Sequence, residues 1–198
     1  LGGIYDHVGF GIHRYSTDAA WRVPHFEKML YDQALVALAY LEAFQVTRKS
    51  LYARTAREIF TYVLRDLAAP AGGFFSAEDA DSEGEEGTFY LWTPDELVRV
   101  LGEADAKLWA ALYHVTAADN FQEEASGEAR GASLLYLSRP LDEDARSRGL
   151  APDALRSRLE EMRTRLLAAR EARVRPHCDD KILTAWNGLM IAALARGG

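Results

Sequence analysis

The 198-residue chain is 48% hydrophobic and carries one cysteine and a net charge of −7, with a sequence pI near 5.3. That length suffices for one domain with a substantial core, and the acidity excludes the basic face that nucleic acid requires. Cys178 alone excludes an internal disulfide and fits a reducing, cytoplasmic setting; with no signal peptide and no apolar run long enough to cross a bilayer, no membrane partner is expected.

Residues 1–24, with Gly2, Gly3, Gly9, Gly11 and Pro24 and no sustained period, read as an irregular loop. His25 to Val46 is predicted as a helix, apolar almost all round beyond Asp32. Leu51 to Leu67 is predicted as an amphipathic helix, with Ala56, Ile59, Val63 and Leu67 inward and Arg54, Arg57, Glu58 and Arg65 outward. Pro70 and Gly72-Gly73 end it and open a long loop through Gly87. Phe89-Tyr90-Leu91-Trp92 reads as a short extended run. Thr93-Pro94-Asp95-Glu96 has the form of a capping box with proline at the first helical position, followed by helices to about Leu101 and from about Ala104 to Tyr113. Residues 117–149 read as irregular, with at most a strand at 134–137. Pro152-Asp153 opens another amphipathic helix, with Leu155, Leu159, Met162, Leu166 and Leu167 inward. The arginines between Arg156 and Arg175 alternate with acids and read as a solvated face. Ile182 to Ala195 closes the chain as a second apolar helix. The ends, Leu1-Gly2-Gly3 and Arg196-Gly197-Gly198, read as those of a segment of a longer protein.

The order of apolar and amphipathic helices suits two layers, in which inner helices are covered on all sides and outer ones shield them. The predicted class is all-α, a partial α/α toroid with long loops and short β segments; a helix bundle with one central helix also satisfies the pattern. A helix apolar on every side directs attention to its polar end. At the first such end, His25 and Asp32 would share a helix face two turns apart, with Glu27 and Tyr31 on a neighbouring one. A histidine beside carboxylates suits proton transfer near neutrality. At the second, Asp179 and Asp180 complement a helix dipole, and Trp186 and Asn187 lie within the apolar body.

Between them, Asp79 to Gly84 imitates a calcium loop, but Tyr90 stands where the bidentate glutamate is needed, so no metal is expected. Asp79 and Asp81 are instead placed at a cavity mouth, with Glu83, Glu85 and Glu86 facing water. Cys178 beside His177 is read as a packed thiol rather than a nucleophile. The loop aromatics Tyr5, Tyr15, Trp21, Phe74, Phe75, Tyr90 and Trp92 suit stacking on sugar rings and equally suit packing.

Five collinear motifs carry a resemblance: Gly2-Gly3-Ile4-Tyr5-Asp6-His7, His13-Arg14-Tyr15-Ser16, Val23-Pro24-His25-Phe26-Glu27-Lys28-Met29-Leu30-Tyr31-Asp32, Ser76 through Gly84, and Asp180 through Leu189. Together they resemble the thioredoxin-domain-containing proteins that include the spermatogenesis-associated family. The resemblance implies an α/α toroid similar to six-hairpin glycosidases and N-acylglucosamine 2-epimerases, of which residues 1–198 would form one fragment. A thioredoxin-like domain would precede it, and the rest of the toroid would follow in the same polypeptide. Phe10 and Ile12 depart from the expected glycine and phenylalanine, and Gln33 from an expected asparagine.

The resulting expectation is a carbohydrate-binding or carbohydrate-transforming site working without cofactor at a central cavity. The reaction stays open between epimerase- or isomerase-like and glycosidase-like chemistry. The catalytic candidates are His25, Glu27, Asp32, Asp79, Asp81 and Asp180, with His25 and Asp180 opening onto one cavity. The substrate-binding candidates are His7, Arg14, Tyr31, Trp92, Trp186 and Asn187, and the partner is a small-molecule sugar. A non-catalytic module serving the thioredoxin-like domain is the alternative.

Overall fold

The computed structural model describes residues 2–117, 120 and 131–198. Among them are seven α-helices: α1 (Leu30–Thr47), α2 (Ser50–Tyr62), α3 (Pro94–Leu101), α4 (Glu103–Tyr113), α5 (Leu141–Ser147), α6 (Pro152–Arg170) and α7 (Thr184–Gly197). A π-helical turn, Val63–Leu67, extends α2. The chain is mainly α-helical, with seven two-residue strands tying its loops together. No helix among the described residues is long and apolar enough to cross a membrane.

The apolar residues divide into three clusters. One joins α1, α2 and α7 through Leu30, Ala34, Ile59, Val63 and Met190. A second joins α3, α4 and α6 around Trp92, Leu97, Trp109 and Met162. The third lies under the loops, around Phe26, Phe89, Tyr90 and Leu134. The predicted inward stripe of α6 is largely observed, with Leu155, Leu159, Met162 and Leu166 buried. The capping box of α3 is also formed: Thr93 Oγ1 accepts from Glu96 N–H at 3.2 Å, and Glu96 Oε2 accepts from Thr93 N–H at 2.9 Å.

Three expectations change. Helix α1 begins at Leu30, and the preceding residues are extended: Pro24–His25 and Lys28–Met29 are strands β2 and β3, and β2 pairs with β1 (Tyr15–Ser16). Burial alternates from Pro24 to Leu30, so Phe26, Lys28 and Leu30 point inward while His25, Glu27 and Met29 do not. That period of two belongs to a strand, and His25 and Asp32 therefore share no helix face. Residues 88–90 form a turn rather than an extended run, with Trp92 bridging Ser133. Residues 141–147 form α5 where irregular chain was expected; Pro140 ends the loop, and Asp142, Glu143 and Asp144 place acids in the first turn. Part of the 117–149 reading, residues 118–119 and 121–130, lies outside the described residues.

The two apolar helices are also not covered on all sides here. Leu35 is 50% exposed on α1 and Ile191 60% exposed on α7.

Strand pairing decides what meets at the loops. β3 pairs with β4 (Ala77–Glu78), and β4 pairs with β7 (Cys178–Asp179), setting Lys28 opposite Glu78 and Glu78 opposite Cys178. Three motifs far apart in sequence are thereby held in one small sheet. The acidic segment folds as a hairpin of β5 (Asp81–Ser82) and β6 (Glu85–Glu86). Its two-residue turn has positive φ at both Glu83 and Gly84, 57° and 82°. Gly84 thus serves a tight hairpin turn rather than a metal-binding loop.

Candidate functional site

Strand alternation and the β1–β2 pairing gather His25 with side chains from four segments. Tyr15 lies opposite His25 in the ladder and stacks on its ring, centroids 5.0 Å apart and planes 27° apart. His25 Nδ1 lies 2.8 Å from Glu86 Oε1, which also accepts from Phe26 N–H at 3.0 Å. On the other side of the ring, Nε2 lies 3.2 Å from Glu27 Oε2. Arg14 Nη1 donates to the same Glu27 oxygen at 2.7 Å, and Arg14 Nε donates to the Tyr31 hydroxyl at 3.2 Å. Tyr31 in turn meets the edge of Trp186 on α7, with centroids 4.8 Å apart. With both ring nitrogens against carboxylates, the imidazole is fixed in orientation.

Asp32 completes the group. It sits in the first turn of α1, and its Oδ2 is buried without a hydrogen-bond partner among the described residues. Burial pushes its carboxyl up to about 6, against the opposing pull of Arg14 and the Tyr31 hydroxyl, while Glu27 adds a further upward push. A carboxyl titrating there can hold or release a proton near neutrality.

Five expected residues are thus brought around His25: Arg14, Glu27, Tyr31, Asp32 and Trp186. The others serve elsewhere. Asp79 is exposed, with Oδ1 accepting from Ala80 N–H, and Asp81 and Asp180 are exposed as well. Trp92 is 1% exposed in the α3–α4–α6 core, with the Arg173 guanidinium 4.1 Å from its ring centroid, so it offers no open face for stacking. His7 is buried between Tyr5 and Tyr113, its Nε2 3.1 Å from the Gly2 carbonyl oxygen. Burial lowers it to about 4, keeping the ring neutral. Glu86, expected in water, is half-buried against His25.

Asn187 is spent on the backbone. Its Oδ1 accepts from Phe74 N–H at 2.7 Å, and its Nδ2 donates to the Phe74 and Leu183 carbonyls at 3.0 and 3.1 Å. Gln33 clamps Ile12 in the same way, at 2.9 and 2.6 Å. Replacing Asn187 by alanine strands two backbone groups of Phe74, and an expected loss of about 2 kcal/mol follows; urea denaturation of the variant measures it.

Beneath the His25 group lies a buried charge network that no local sequence pattern marks. Asp6 accepts from Lys28 Nζ at 2.7 Å and from Arg170 Nη1 and Nη2 at 2.9 and 2.8 Å. Its Oδ1 also accepts from Val8 and Gly9 N–H, each at 2.9 Å. Side-chain exposure is 4% for Asp6, 1% for Lys28 and 3% for Arg170. Burial alone would push the Asp6 carboxyl up, but Arg170 and Lys28 hold it well below the usual carboxylate range.

Lys28 Nζ also lies 4.4 and 4.8 Å from the ring centroids of Tyr62 and Tyr90, and Tyr62 donates to Glu78 at 2.9 Å. Gly9 is required beside it, because a Cβ there would meet Arg170 Nη2 at 1.8 Å. Arg170 was expected on a solvated face. The signal that locates it lies in the strand period, which turns Lys28 inward and so demands buried partners. Cys178 packs, partly buried, against the α1–α2–α7 cluster, as expected of a packed thiol, and burial, then Glu78, Asp180 and Asp179, raise its pKa.

Among the described residues, no group of three or more His, Cys, Asp or Glu is gathered to hold a metal ion. No family model matches the chain. All of it is similar to spermatogenesis-associated protein 20 of Homo sapiens, at 43% identity, and of Mus musculus, at 41%. An uncharacterized protein of Caenorhabditis elegans is 33% identical over 98% of the chain. The chain spans 27% of the length of the human and mouse proteins.

Proposed function

We propose that the His25 group is the acid–base site of a carbohydrate-transforming α/α toroid, to which this chain contributes one part and which works alongside a thioredoxin-like domain of the same polypeptide. The observation that carries this reading is Asp32: a carboxyl near pKa 6, one oxygen unpaired, set beside Arg14, Tyr31 and Glu27. In its acid form Asp32 donates a proton to a sugar oxygen or carbon, and in its base form it takes one back. Arg14 and the His25–Glu86 pair hold Glu27 and supply hydrogen bonds to hydroxyls. Tyr15, 50% exposed, and half-buried Trp186 offer apolar faces for sugar rings.

The test is thermal unfolding of the full-length protein across a broad panel of sugars and sugar derivatives. At least one is expected to raise the melting temperature, and the rise should shrink in His25→Ala. No shift anywhere on the panel, with His25→Ala unchanged in every assay, overturns the reading.

The buried Asp6–Lys28–Arg170 network favours a second reading. Residues of the same motifs are spent on holding the loops, as expected of a scaffold that presents a redox domain to protein partners. On that reading activity follows the thioredoxin-like domain alone, and no small molecule stabilises the toroid part.

A further inference from the structure

A cavity of about 690 Å³ lies apart from the His25 group, between the N-terminal loop, the start of α2, α4, the 137–142 segment and α6. None of the eight residues gathered at the candidate site lines it. Its volume falls within the range of small-molecule sites, which pair apolar walls with a few fixed polar groups. The walls are largely aromatic and aliphatic, including Tyr5, Phe10, Trp109, Tyr113 and Leu159.

The wall is built rather than incidental. Phe10 is held at φ 68°, a left-handed conformation rare for a side chain of its size. The Arg163 guanidinium covers its ring, 4.3 Å from the centroid, and donates to the Val8 carbonyl at 2.9 Å.

The charges lining the cavity are unequally engaged. Arg54, Arg139, Arg156 and Arg163 meet Glu58, Asp142 and Glu160 in the lining, and Arg139 is paired at 2.5 Å with Asp144, which does not line it. The acids are already engaged. Glu58 accepts the Tyr5 hydroxyl at 2.5 Å, Asp142 pairs with Arg156, and Glu160 takes Arg163 at 2.6 Å. Of the four arginines Arg54 is held most loosely: it forms an i,i+4 ion pair with Glu58, Nε to Oε1 at 3.7 Å, too far for a hydrogen bond, and among the described residues it makes no hydrogen bond. A guanidinium carries five N–H donors in a planar fork that matches a carboxylate. It stands 38% exposed beside an aromatic chamber, with those donors available.

We infer that this cavity binds an amphipathic organic anion, its apolar body against Trp109, Tyr113 and Phe10 and its carboxylate on Arg54. A neutral polar ligand such as a sugar would leave the aromatic walls and the guanidinium donors of Arg54 unused.

The experiment is calorimetric titration of the full-length protein with 1-naphthaleneacetate and with its neutral isostere 1-naphthaleneacetamide. Saturable binding of the acid, at least tenfold tighter than the amide, is expected. Arg54→Met should erase that preference by weakening the acid alone, since a side chain partly in solvent leaves the fold intact. Leu159→Trp, which fills the chamber, should abolish binding of both, with circular dichroism confirming an unchanged fold. Absence of saturable binding by either compound overturns the inference, as it would if another segment of the polypeptide filled the chamber. Equal affinity for acid and amide, or an Arg54→Met variant that keeps the preference, overturns it as well.

Discussion

Asp6→Ala is expected to destabilise the protein by about 3–5 kcal/mol, because it leaves Lys28 and Arg170 buried without their carboxylate. Both cations also lose hydrogen bonds at 2.7–2.9 Å, and the N–H groups of Val8 and Gly9 lose their acceptor. Lys28→Met should cost less, since Asp6 keeps the two-pronged Arg170 contact and methionine fills the space between Tyr62 and Tyr90. Chemical denaturation of both variants and of the double variant gives the coupling energy.

The sign of the pH dependence follows from the direction of the Asp6 shift. Its folded pKa lies well below the unfolded value, so the contribution is complete above the unfolded carboxylate range and is lost as pH falls through the folded pKa. In Asp6→Ala that acid-sensitive component should vanish. A loss below 1 kcal/mol, or an unchanged acid limb, would show that the network does not anchor the loop.

Asp32→Asn is expected to act in the opposite direction on stability and, on the proposed acid–base role, to lower turnover. The folded pKa of Asp32, about 6, lies above the ordinary aspartate value of 3.8. Between those values the native state binds more protons than the unfolded one, so the Asp32 contribution declines as pH rises from 4 to 6. Asparagine carries no charge to desolvate. The variant should match the parent near pH 3.5 and exceed it by about 1–2 kcal/mol at pH 8, discounted for a group only half removed from solvent.

His7 and His13 impose a trend of the other sign. Their folded values of about 4 and about 3, both lowered by burial, take stability away as pH falls below 6.5. Parent and Asp32→Asn share that trend, so their difference isolates Asp32. If Asp32 moves the proton, turnover should fall by about 10²–10⁴-fold in the variant. A variant no more stable than the parent at pH 8, or one with full turnover, would remove Asp32 from the role.

Legibility in the sequence followed the range of the forces involved. Thr93-Pro94-Asp95-Glu96 announced α3 because a capping box is complete within four residues. The stripe of α6 was readable because one side of the helix meets the core at every turn. His25 stands out in the sequence as a candidate residue, yet its local structure differs from the helix expected there. Its segment resembles a helix start, and it is held extended by pairing of β2 with Tyr15–Ser16 and of β3 with Ala77–Glu78. Glu86 was placed in water because nothing near it in sequence reveals that a hairpin turn at Glu83-Gly84 brings it back onto His25.

By itself, the sequence determined a mainly helical chain and most of its helices. Those outcomes rest on local propensity, capping and hydrophobic period. Tertiary structure alone decided which polar residues meet. Lys28 became a buried cation rather than a surface one because strand pairing turned it inward, and Arg170 left the solvated face because Asp6 was there to receive it. Burial of a charge depends on a partner arriving from elsewhere in the chain, 164 residues away in sequence here, and no local pattern encodes that meeting.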